Sequence, residues 1–302
     1  MNAILIVSHT GRSDSLEATR DVCRQLHRAG QTVVLPAEQY PDVLGFDPSL
    51  ADVAVQLGGE VTLADVSLAI TLGGDGTLLR AAEIVRGHGT PLLGVNLGHV
   101  GFLAEAERDS AAETVRRAIA GEYRVEERLA LEVRVSRAGS EVYRSWALNE
   151  VTVEKSAAHR MIELLLEVDG RPLSSFGCDG IIMATPTGST AYSFSAGGPV
   201  VWPSVAALLC VPISAHALFS RPLVVGVDST LAVELQNRTG QTGVLVCDGR
   251  RMVELQAGDR LTVVRSAEPV RLARLQDAPF TDRLVHKFDL PVHGWRGQQE
   301  RA

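Results

Sequence analysis

Apolar and polar segments alternate along the first part of the chain in a pattern that predicts a parallel α/β domain. Residues 3–8 form an apolar run of strand length, and residues 16–29 place apolar side chains at helical spacing before Gly30. The order recurs in residues 67–72, which lead through a glycine-rich turn into a helical pattern, and residues 91–98 supply a further strand. Strands that alternate with helices indicate a parallel sheet, so we expect a Rossmann-like α/β domain.

The pattern changes near residue 128, which predicts a second domain. From there on, short runs with the two-residue alternation of β-strands follow one another, and helical patterning largely disappears. We therefore predict an α/β domain over residues 1–127 and a β-rich, sandwich-like domain over residues 128–278. The tail, residues 279–302, has a helical pattern again, and we expect it to pack back on the first domain.

Two Asp-Gly pairs predict tight turns inside the second domain. Asp169-Gly170 and Asp248-Gly249 lie between strand-like runs. Both residue types adopt the positive φ angles that two-residue hairpin turns require. We expect a β-hairpin at each pair.

Composition and charge narrow the class of protein. Of the 302 residues, 45% are hydrophobic and 22% are charged, which is typical of a soluble globular protein. The formal net charge of -7 argues against a general nucleic-acid binder, because neutralising phosphates requires a basic face. The first apolar run is too short for a membrane span or a signal peptide, so we expect a cytoplasmic protein. The four cysteines are widely spaced, and we expect reduced thiols.

The segment GGDGT at residues 73–77 lies between a predicted strand and a predicted helix. Its glycines free the backbone to approach a ligand, and the helix that follows offers unpaired N–H groups and a positive dipole end. We predict a phosphate-binding loop, while a simple turn with Asp75 as the N-cap of the helix stays open as the alternative. As a carboxylate, Asp75 could accept the proton of an attacking hydroxyl. Arg80 could contact a phosphate or lie on the surface.

Other phosphate-binding motifs do not occur in the sequence. Neither of its two lysines, Lys155 and Lys287, follows a glycine, which excludes a Walker A motif, and there is no Gly-x-Gly-x-x-Gly. The His-Arg-Asp and Asp-Phe-Gly signatures of protein kinases are also missing. Neutralising phosphate charge would therefore depend mainly on arginine, backbone N–H groups and Mg²⁺.

Small hydroxyl residues and glycines are concentrated in residues 179–199. The hydroxyl residues are Thr185, Thr187, Ser189, Thr190, Ser193 and Ser195. They could line a pocket for a ribose or an adenine edge, with a solvated loop as the alternative. Asn149 and Glu150 are polar residues in a strand pattern, where they could contact a ribose and a base or mark a hairpin end. The local sequence favours a solvated side chain for Arg160 and a core or structural histidine for His216.

Taken together, these segments resemble the NAD kinase family. The matching segments are GGDGT at 73–77, GVNLGHVGFLAE at 94–105, NE at 149–150, DG at 179–180 and TPTGSTAYSFSAGGPV at 185–200. GGDGT is shared with diacylglycerol and sphingosine kinases, whereas TPTGSTAYS is far more specific. The segment FTDRLVHKF and the preference for arginine over lysine resemble actinobacterial members.

The resemblance implies transfer of a phosphoryl group from ATP to the 2′-hydroxyl of the adenosine ribose of NAD, giving NADP. Some members of the family accept inorganic polyphosphate as the donor. Asp75 would accept the proton, Asn149 and Glu150 would contact the adenosine ribose and base, and Asp179 would contact NAD. The residues expected to bind substrate or nucleotide are Gly73, Gly74, Asp75, Gly76, Thr77, Arg80, Asn149, Glu150, Arg160, Asp179, Thr190, Ala191, Tyr192, Ser193 and Ser195. Mg²⁺ would be held mainly by the donor phosphates rather than by protein ligands, and a homodimer or homotetramer is expected.

Two other classes of function stay open on the sequence. A lipid kinase of the diacylglycerol type would share GGDGT, but it should offer a membrane-facing surface, and no segment of that kind is visible. A non-catalytic NAD(P)-binding sensor could keep the same fold. The presence of Asp75 argues against a sensor, and a turnover assay would decide.

Overall fold

The α/β and β-rich parts predicted from the sequence are both present in the computed structural model of the chain. The structure describes residues 3–97, 101–104, 106–107, 111–236, 240–276 and 279–292. One unit contains residues 1–127 and 270–302, and the other contains residues 128–269. The first has a largely parallel sheet and the second has antiparallel sheets, so the predicted fold class is confirmed.

Strands and helices alternate through the first unit. In chain order they are β1 (Ala3–Ser8), α1 (Ser13–Arg28), β2 (Thr32–Leu35), α2 (Tyr40–Phe46), β3 (Ala54–Gln56), β4 (Val66–Leu72), α3 (Asp75–Ile84), β5 (Leu92–Asn96), β6 (Ala106–Glu107), α4 (Ala111–Ile119) and β7 (Arg124–Arg128). Short 3-10 helices precede β3 and β4. The strands β3, β2, β1, β4 and β5 are neighbours in that order and pair in parallel.

The hydrophobic pattern of β1 and α1 explains this sheet. Every residue of β1 is buried, as expected of a central parallel strand that helices cover on both faces. Helix α1 buries Val22, Cys23 and Leu26, which share one face of the helix and join the same core as β1. Because the strands are parallel, the carboxyl ends of β1, β4 and β5 meet at one edge of the sheet, which is where ligands bind in open α/β sheets.

Two six-stranded antiparallel sheets form the second unit. Its elements are β8 (Leu131–Arg137), β9 (Ser140–Ala147), β10 (Glu150–Lys155), β11 (Ile162–Val168), β12 (Arg171–Cys178), β13 (Gly180–Ala184), α5 (Tyr192–Ser195), β14 (Ala207–Ile213), β15 (Leu223–Gly226), β16 (Leu231–Leu235), β17 (Gly243–Cys247), β18 (Arg251–Leu255) and β19 (Arg260–Arg265). The strand orders are β15-β14-β13-β10-β17-β18 and β12-β11-β16-β19-β8-β9. One apolar core takes residues from both sheets, as in a sandwich.

Both predicted Asp-Gly hairpins are present. Asp169 and Gly170 have φ angles of 53° and 72° and connect β11 to β12. Asp248 and Gly249 have φ angles of 52° and 66° and follow β17 in the turn that leads to β18. Positive φ at both central residues is the geometry of the type I′ turn.

The C-terminal boundary of the β-rich unit differs from the predicted one. The prediction placed its end at residue 278, but the strand β20 (Val270–Arg274) lies in the sheet of the first unit, between β5 and β7. A strand pattern does not reveal which sheet a strand joins, so the sequence could not assign β20. The tail continues as helix α6 (Phe280–Phe288), which also belongs to the first unit.

The side chains of the cysteines and the apolar character of the helices can be examined in the folded chain. All four cysteines are thiols rather than disulfide partners, as predicted, and all four are buried. Burial raises the pKa of Cys23, Cys178 and Cys210 to about 12, so these thiols are poor nucleophiles near neutral pH. Among the helices in the described part of the chain, none combines the length and the apolar character needed to cross a membrane.

Candidate active site

The GGDGT segment forms the connection between β4 and α3. Gly73 has a φ of 154°, and a Cβ at this position would collide with the side chain of Thr77. Its N–H donates to the carbonyl of Val95 at 3.0 Å, which ties the turn to β5. Gly74 is the N-cap of α3 and Asp75 is its first helical residue. The alternative in which Asp75 caps the helix is therefore wrong, since a glycine occupies that position.

Two backbone N–H groups hold the carboxylate of Asp75. The N–H of Phe102 donates to Oδ2 at 3.0 Å, and the N–H of Leu103 donates to Oδ1 at 3.1 Å. A Cβ on Gly101 would collide with the same carboxylate, so the backbone approaches it closely only because this residue is glycine. Each carboxylate oxygen can accept two hydrogen bonds, which leaves acceptor capacity for a ligand hydroxyl. Asp75 is therefore oriented, partly exposed and able to accept a proton.

The loop around Asp75 is open to a ligand. Gly74 and Gly76 are exposed, and a Cβ on either would meet no atom of the described residues within 4 Å. Packing against the described residues therefore does not require glycine at these two positions, whereas close approach of a ligand would. The N-terminus of α3 adds its unpaired N–H groups and positive dipole end at the same place. Arg80, on this helix, is half-buried.

In the second unit, Asp248 organises the backbone of the predicted Asn149-Glu150 site. Its carboxylate accepts the N–H groups of Leu148 at 2.9 Å, Asn149 at 2.7 Å and Glu150 at 3.4 Å. The Nη2 of Arg251 donates to it at 2.9 Å. The side chain of Asp248 is 2% exposed, so these donors replace the water that burial removes. Asn149 and Glu150 thus lie at a fixed strand start rather than at a free hairpin end.

Glu150 is a buried acid with a strongly shifted pKa. Burial is the main cause that raises the pKa of Glu150 to about 8, and the negative charge of Asp248 is the second. A hydrogen bond from the backbone of Tyr192 opposes the shift. Burial also raises the pKa of Asp248, but its four donors favour its charged form, so the proton of the pair belongs on Glu150. The Oε2 atom of Glu150 is buried and has no hydrogen-bond partner among the described residues. A ligand hydroxyl would supply one.

The hydroxyl-rich segment after β13 divides into buried and accessible positions. Thr185 donates from Oγ1 to the carbonyl of Leu148 at 2.6 Å and is fully buried. Ser193 is also fully buried, with no hydrogen-bond partner for its Oγ among the described residues. In contrast, Thr190 is partly exposed, and Tyr192 and Ser195 are exposed. The accessible positions can face a ligand, whereas Thr185 and Ser193 support the segment from inside.

The predicted contact Asp179 pairs with Lys155. The Nζ of Lys155 lies 2.5 Å from Asp179 Oδ1, and the backbones are joined by a hydrogen bond from Lys155 N–H to Asp179 O at 3.0 Å. This lysine, then Ser214 and His216, lowers the pKa of Asp179. His216 is exposed, and its N–H donates to Gly177 O at 2.8 Å. Of the two interpretations of His216, core or structural, the core one is wrong because the residue is exposed, and the structural one stays a prediction.

Arg160 borders an open cavity of about 590 Å³ in the second unit. The residues that line it are His159, Arg160, Met161, Ile162, Glu163, Gly177 and Gln241. Arg160 itself is exposed, in agreement with the solvated side chain that its local sequence favours. Gly177 connects this cavity to the neighbourhood of His216.

The structure brings some predicted residues together and keeps others apart. Asn149, Glu150 and Tyr192 form one group, at the start of β10. Asp179 lies beside Lys155 at the other end of the same strand. At a rise of about 3.4 Å per residue, the five steps along β10 separate the two groups by about 17 Å. A ligand that reached both groups would therefore contact each with a different part.

Comparisons with known proteins decide the family. Residues 4–123 match the model of the ATP-NAD kinase N-terminal domain, and residues 148–275 match that of the ATP-NAD kinase C-terminal domain. The chain belongs to the NAD kinase family. The resemblance predicted from the sequence segments is confirmed, and the lipid kinase alternative is removed.

Several NAD kinases resemble the chain over nearly its full length. The NAD kinase of Leifsonia xyli subsp. xyli is 63% identical and covers 99% of this chain and 98% of its own. That of Thermobifida fusca is 56% identical over 98% of this chain and 91% of its own. NAD kinase 2 of Streptomyces coelicolor is 55% identical over 98% of this chain and 97% of its own. The relatives include actinobacterial NAD kinases, as the sequence predicted.

Two solved structures of NAD kinase relatives share the fold. Yeast NADH kinase complexed with NADH has a TM-score of 0.86 at 23% identity, covering 99% of this chain and 90% of its own. An NAD kinase from Archaeoglobus fulgidus in complex with ATP has a TM-score of 0.71 at 26% identity, covering 96% of this chain and 99% of its own.

Sequence reasoning missed three contributors to the site. It treated Asp248 only as a turn residue, because the Asp-Gly turn already explained an aspartate there. It gave no role to the N–H groups of Phe102 and Leu103, since a backbone donor leaves no side-chain signal. The segment 94–105 matched the family, however, and its glycine at position 101 was the available clue to a close backbone approach.

Proposed function

We propose that the protein is an NAD kinase, which transfers a phosphoryl group from ATP to the 2′-hydroxyl of the adenosine ribose of NAD and forms NADP. The observation that carries the proposal is the Asp75 carboxylate, oriented by two N–H groups at the start of α3 beside exposed glycines. The relatives that match the full chain are named NAD kinases, and one solved relative is complexed with ATP.

Asp75 supplies the proton acceptor for the reaction. The 2′-hydroxyl oxygen of NAD attacks the terminal phosphorus of ATP, a new P–O bond forms, and the bond to ADP breaks. The hydroxyl proton passes to a carboxylate oxygen of Asp75, which the N–H groups of Phe102 and Leu103 keep in a fixed orientation. The backbone at Gly74 and Gly76, with the start of α3, would face the donor phosphates.

The second unit would bind NAD. Glu150 and Asn149 would receive the adenosine, with the unpartnered Oε2 of Glu150 accepting or donating to a ribose hydroxyl. Tyr192 would form a wall of this pocket, and Asp179 would contact another part of the dinucleotide. The further contacts that we propose on the family resemblance are Gly73, Thr77, Arg80, Arg160, Thr190, Ala191, Ser193 and Ser195. Because Ser193 is buried, its contribution would be to the shape of the segment.

Mg²⁺ fits this chemistry as an ion carried by the donor phosphates. Within the described residues, no group of three or more His, Cys, Asp or Glu side chains could hold a metal ion. Mg²⁺ commonly keeps its waters and binds through substrate phosphates rather than through a cage of protein ligands. When bound, it would neutralise charge on the phosphates. Inorganic polyphosphate has the same phosphate chemistry and is a second candidate donor.

We propose a homodimer or homotetramer, as the family resemblance implies. Several large apolar side chains of the second unit are exposed on the single chain. They include Trp202, Val205, Leu218, Phe219 and Val224. Exposed apolar surface of this kind is typical of contacts between proteins, and the molar mass in solution measures the oligomer.

The direct test is formation of NADP from NAD with Mg²⁺ and ATP, measured with an NADP-specific dehydrogenase, and with polyphosphate in place of ATP in parallel. NADP formation would establish the reaction and identify the donor. Folded protein that binds NAD but forms no NADP with either donor would instead be a sensor.

Replacing Asp75 tests its role as the proton acceptor. In Asp75→Asn, the amide keeps the size of the side chain but cannot take the proton, so kcat should fall by about 10² to 10⁴. The Kd for NAD should stay within a few-fold of the wild-type value. Asp52→Asn, which changes an exposed aspartate of the same unit, is the matched control and should keep full activity. Normal turnover in Asp75→Asn would remove Asp75 from the mechanism.

A further inference from the structure

We propose that Arg283, on the C-terminal helix α6, is a positioning residue that orients Asp75 through the backbone of residues 102–104. The inference rests on the proposed role of Asp75 in NAD phosphorylation. It assigns a specific task to a helix that lies about 200 residues after Asp75 in the sequence.

A continuous series of hydrogen bonds joins Arg283 to Asp75. Arg283 donates from Nη1 to the carbonyl of Phe102 at 3.0 Å and to that of Ala104 at 2.9 Å. The carbonyl of Phe102 and the N–H of Leu103 belong to the same peptide group, and this N–H donates to Asp75 Oδ1 at 3.1 Å. One amide thus lies between a guanidinium and a carboxylate. Because hydrogen bonds in series polarise one another, the guanidinium strengthens the donor that faces Asp75.

Aromatic contacts from the same helix fix the segment. The ring of Phe102 lies 5.9 Å from the ring of Phe280 and 5.9 Å from that of Phe288, measured between centroids. Phe280 precedes Arg283 by three residues and Phe288 by eight, so it lies between the two around the helix axis. The helix therefore holds the side chain of Phe102 and its carbonyl at the same time. The N–H of Phe102, in turn, donates to Asp75 Oδ2.

The contribution of α6 is separable from that of the sheet. Arg274, in β20, donates to the carbonyl of Leu103 at 3.0 Å and is itself fixed by Glu126 at 2.6 Å. The sheet therefore anchors the carbonyl of residue 103, whereas α6 anchors those of 102 and 104. No residue of α6 is fully buried, so its contacts can be altered without opening the core of the unit.

For catalysis, these contacts matter because they fix the orientation of the proton acceptor, Asp75. Asp75 is partly exposed at the first position of a helix, and its two N–H donors come from a segment without regular secondary structure. A proton acceptor must lie within hydrogen-bond distance of the hydroxyl, and a small misplacement costs up to about 10²-fold in rate. Losing Arg283 should therefore lower the rate of the chemical step more than it weakens substrate binding.

The kinetic test compares variants along α6. Arg283→Met keeps the length of the side chain and removes its donors; kcat should fall on the order of 10- to 100-fold while KM for NAD and ATP changes little. Arg283→Lys, which restores a cationic donor, should recover part of the loss. His286→Gln changes an exposed residue of α6 and should behave like the wild type. Leu284→Ala loosens a half-buried contact without removing these hydrogen bonds, and it should lower Tm more than kcat.

Two kinetic outcomes would overturn the proposal. One is a kcat for Arg283→Met within two-fold of the wild-type value. The other has two parts: Leu284→Ala lowers kcat as much as Arg283→Met does when both lose the same Tm, and Arg283→Lys recovers none of the activity. That result would assign Arg283 only to helix packing.

Amide hydrogen exchange separates this inference from the proposed function, because it needs no turnover. In Arg283→Met, exchange at Phe102 and Leu103 should rise on the order of 10-fold, and it should be unchanged in His286→Gln. If the wild type formed no NADP but exchange depended on Arg283, the NAD kinase proposal would fail and the positioning would stand. If the wild type were active and neither kcat nor exchange responded to Arg283, only the positioning would fail.

Discussion

Glu150 combines a buried carboxyl group with a neighbour of the same charge. Its pKa is raised from 4.5 to about 8, by burial first and by Asp248 second. Between these two values, the folded protein therefore keeps a proton on Glu150 that the unfolded chain has already released. Stability from this group is present at low pH, decreases as pH rises between about 4.5 and about 8, and stays constant above that window.

Glu150→Gln should remove this pH dependence. Glutamine keeps the shape of the neutral acid, so the variant should gain stability relative to the wild type as pH rises from about 6 to about 8, by at most about 1.4 kcal/mol per pH unit. Urea unfolding of both proteins across this range measures the difference. Glu254→Gln, at an exposed glutamate in β18, is the matched control. A constant difference between Glu150→Gln and the wild type would contradict the shifted pKa.

At the scale of elements, the loop from β4 to α3 contains glycines that serve two different purposes. Gly73 is required by the fold, because its φ of 154° is rare for other residues and a Cβ would collide with Thr77. Gly76 is exposed at the second position of α3, where a Cβ meets open space. The first glycine therefore stabilises the turn, and the second would leave room for the donor phosphates in the proposed reaction.

Alanine substitutions at these positions should separate stability from activity. Gly73→Ala should lower the free energy of unfolding by about 1–3 kcal/mol. Gly76→Ala should leave it unchanged or raise it by up to about 1 kcal/mol, because alanine favours a helix. It should nevertheless raise KM for ATP, since the added methyl group lies where the donor phosphates are expected. Thermal unfolding and initial rates of the two variants provide the comparison, and wild-type kinetics in Gly76→Ala would argue against phosphate at this loop.

A comparison of predicted and observed elements shows how far the sequence could predict the structure. Strands β1, β4 and β5 and helices α1 and α3 follow from apolar periodicity, and both hairpins follow from Asp-Gly pairs. The position of β20 did not follow, because pairing with β5 depends on contacts distant in sequence. At the candidate site, residue type alone was enough to propose Asp75 and Glu150. The donors that hold Asp75 are backbone groups, so only the folded chain reveals them.

At the scale of the whole molecule, the two units differ in whether a single continuous stretch of the chain forms them. Residues 128–269 are contiguous and contain a core to which both sheets contribute. The first unit is discontinuous, because β20 inserts between β5 and β7 after the chain has completed the second unit. A unit can fold alone only if its core is complete, so the two should respond differently to being expressed separately.

Residues 128–269 alone should fold into a cooperative β structure, whereas residues 1–127 alone should not. The shorter N-terminal piece would expose the edge of β5 that β20 covers, and an unpaired, apolar strand edge promotes aggregation. Circular dichroism and thermal unfolding of each piece would show the difference. Adding residues 270–292 to residues 1–127 through a short flexible linker supplies β20 and α6 and should restore a cooperative transition. Cooperative unfolding of residues 1–127 without that addition would show that β20 is dispensable for the parallel sheet.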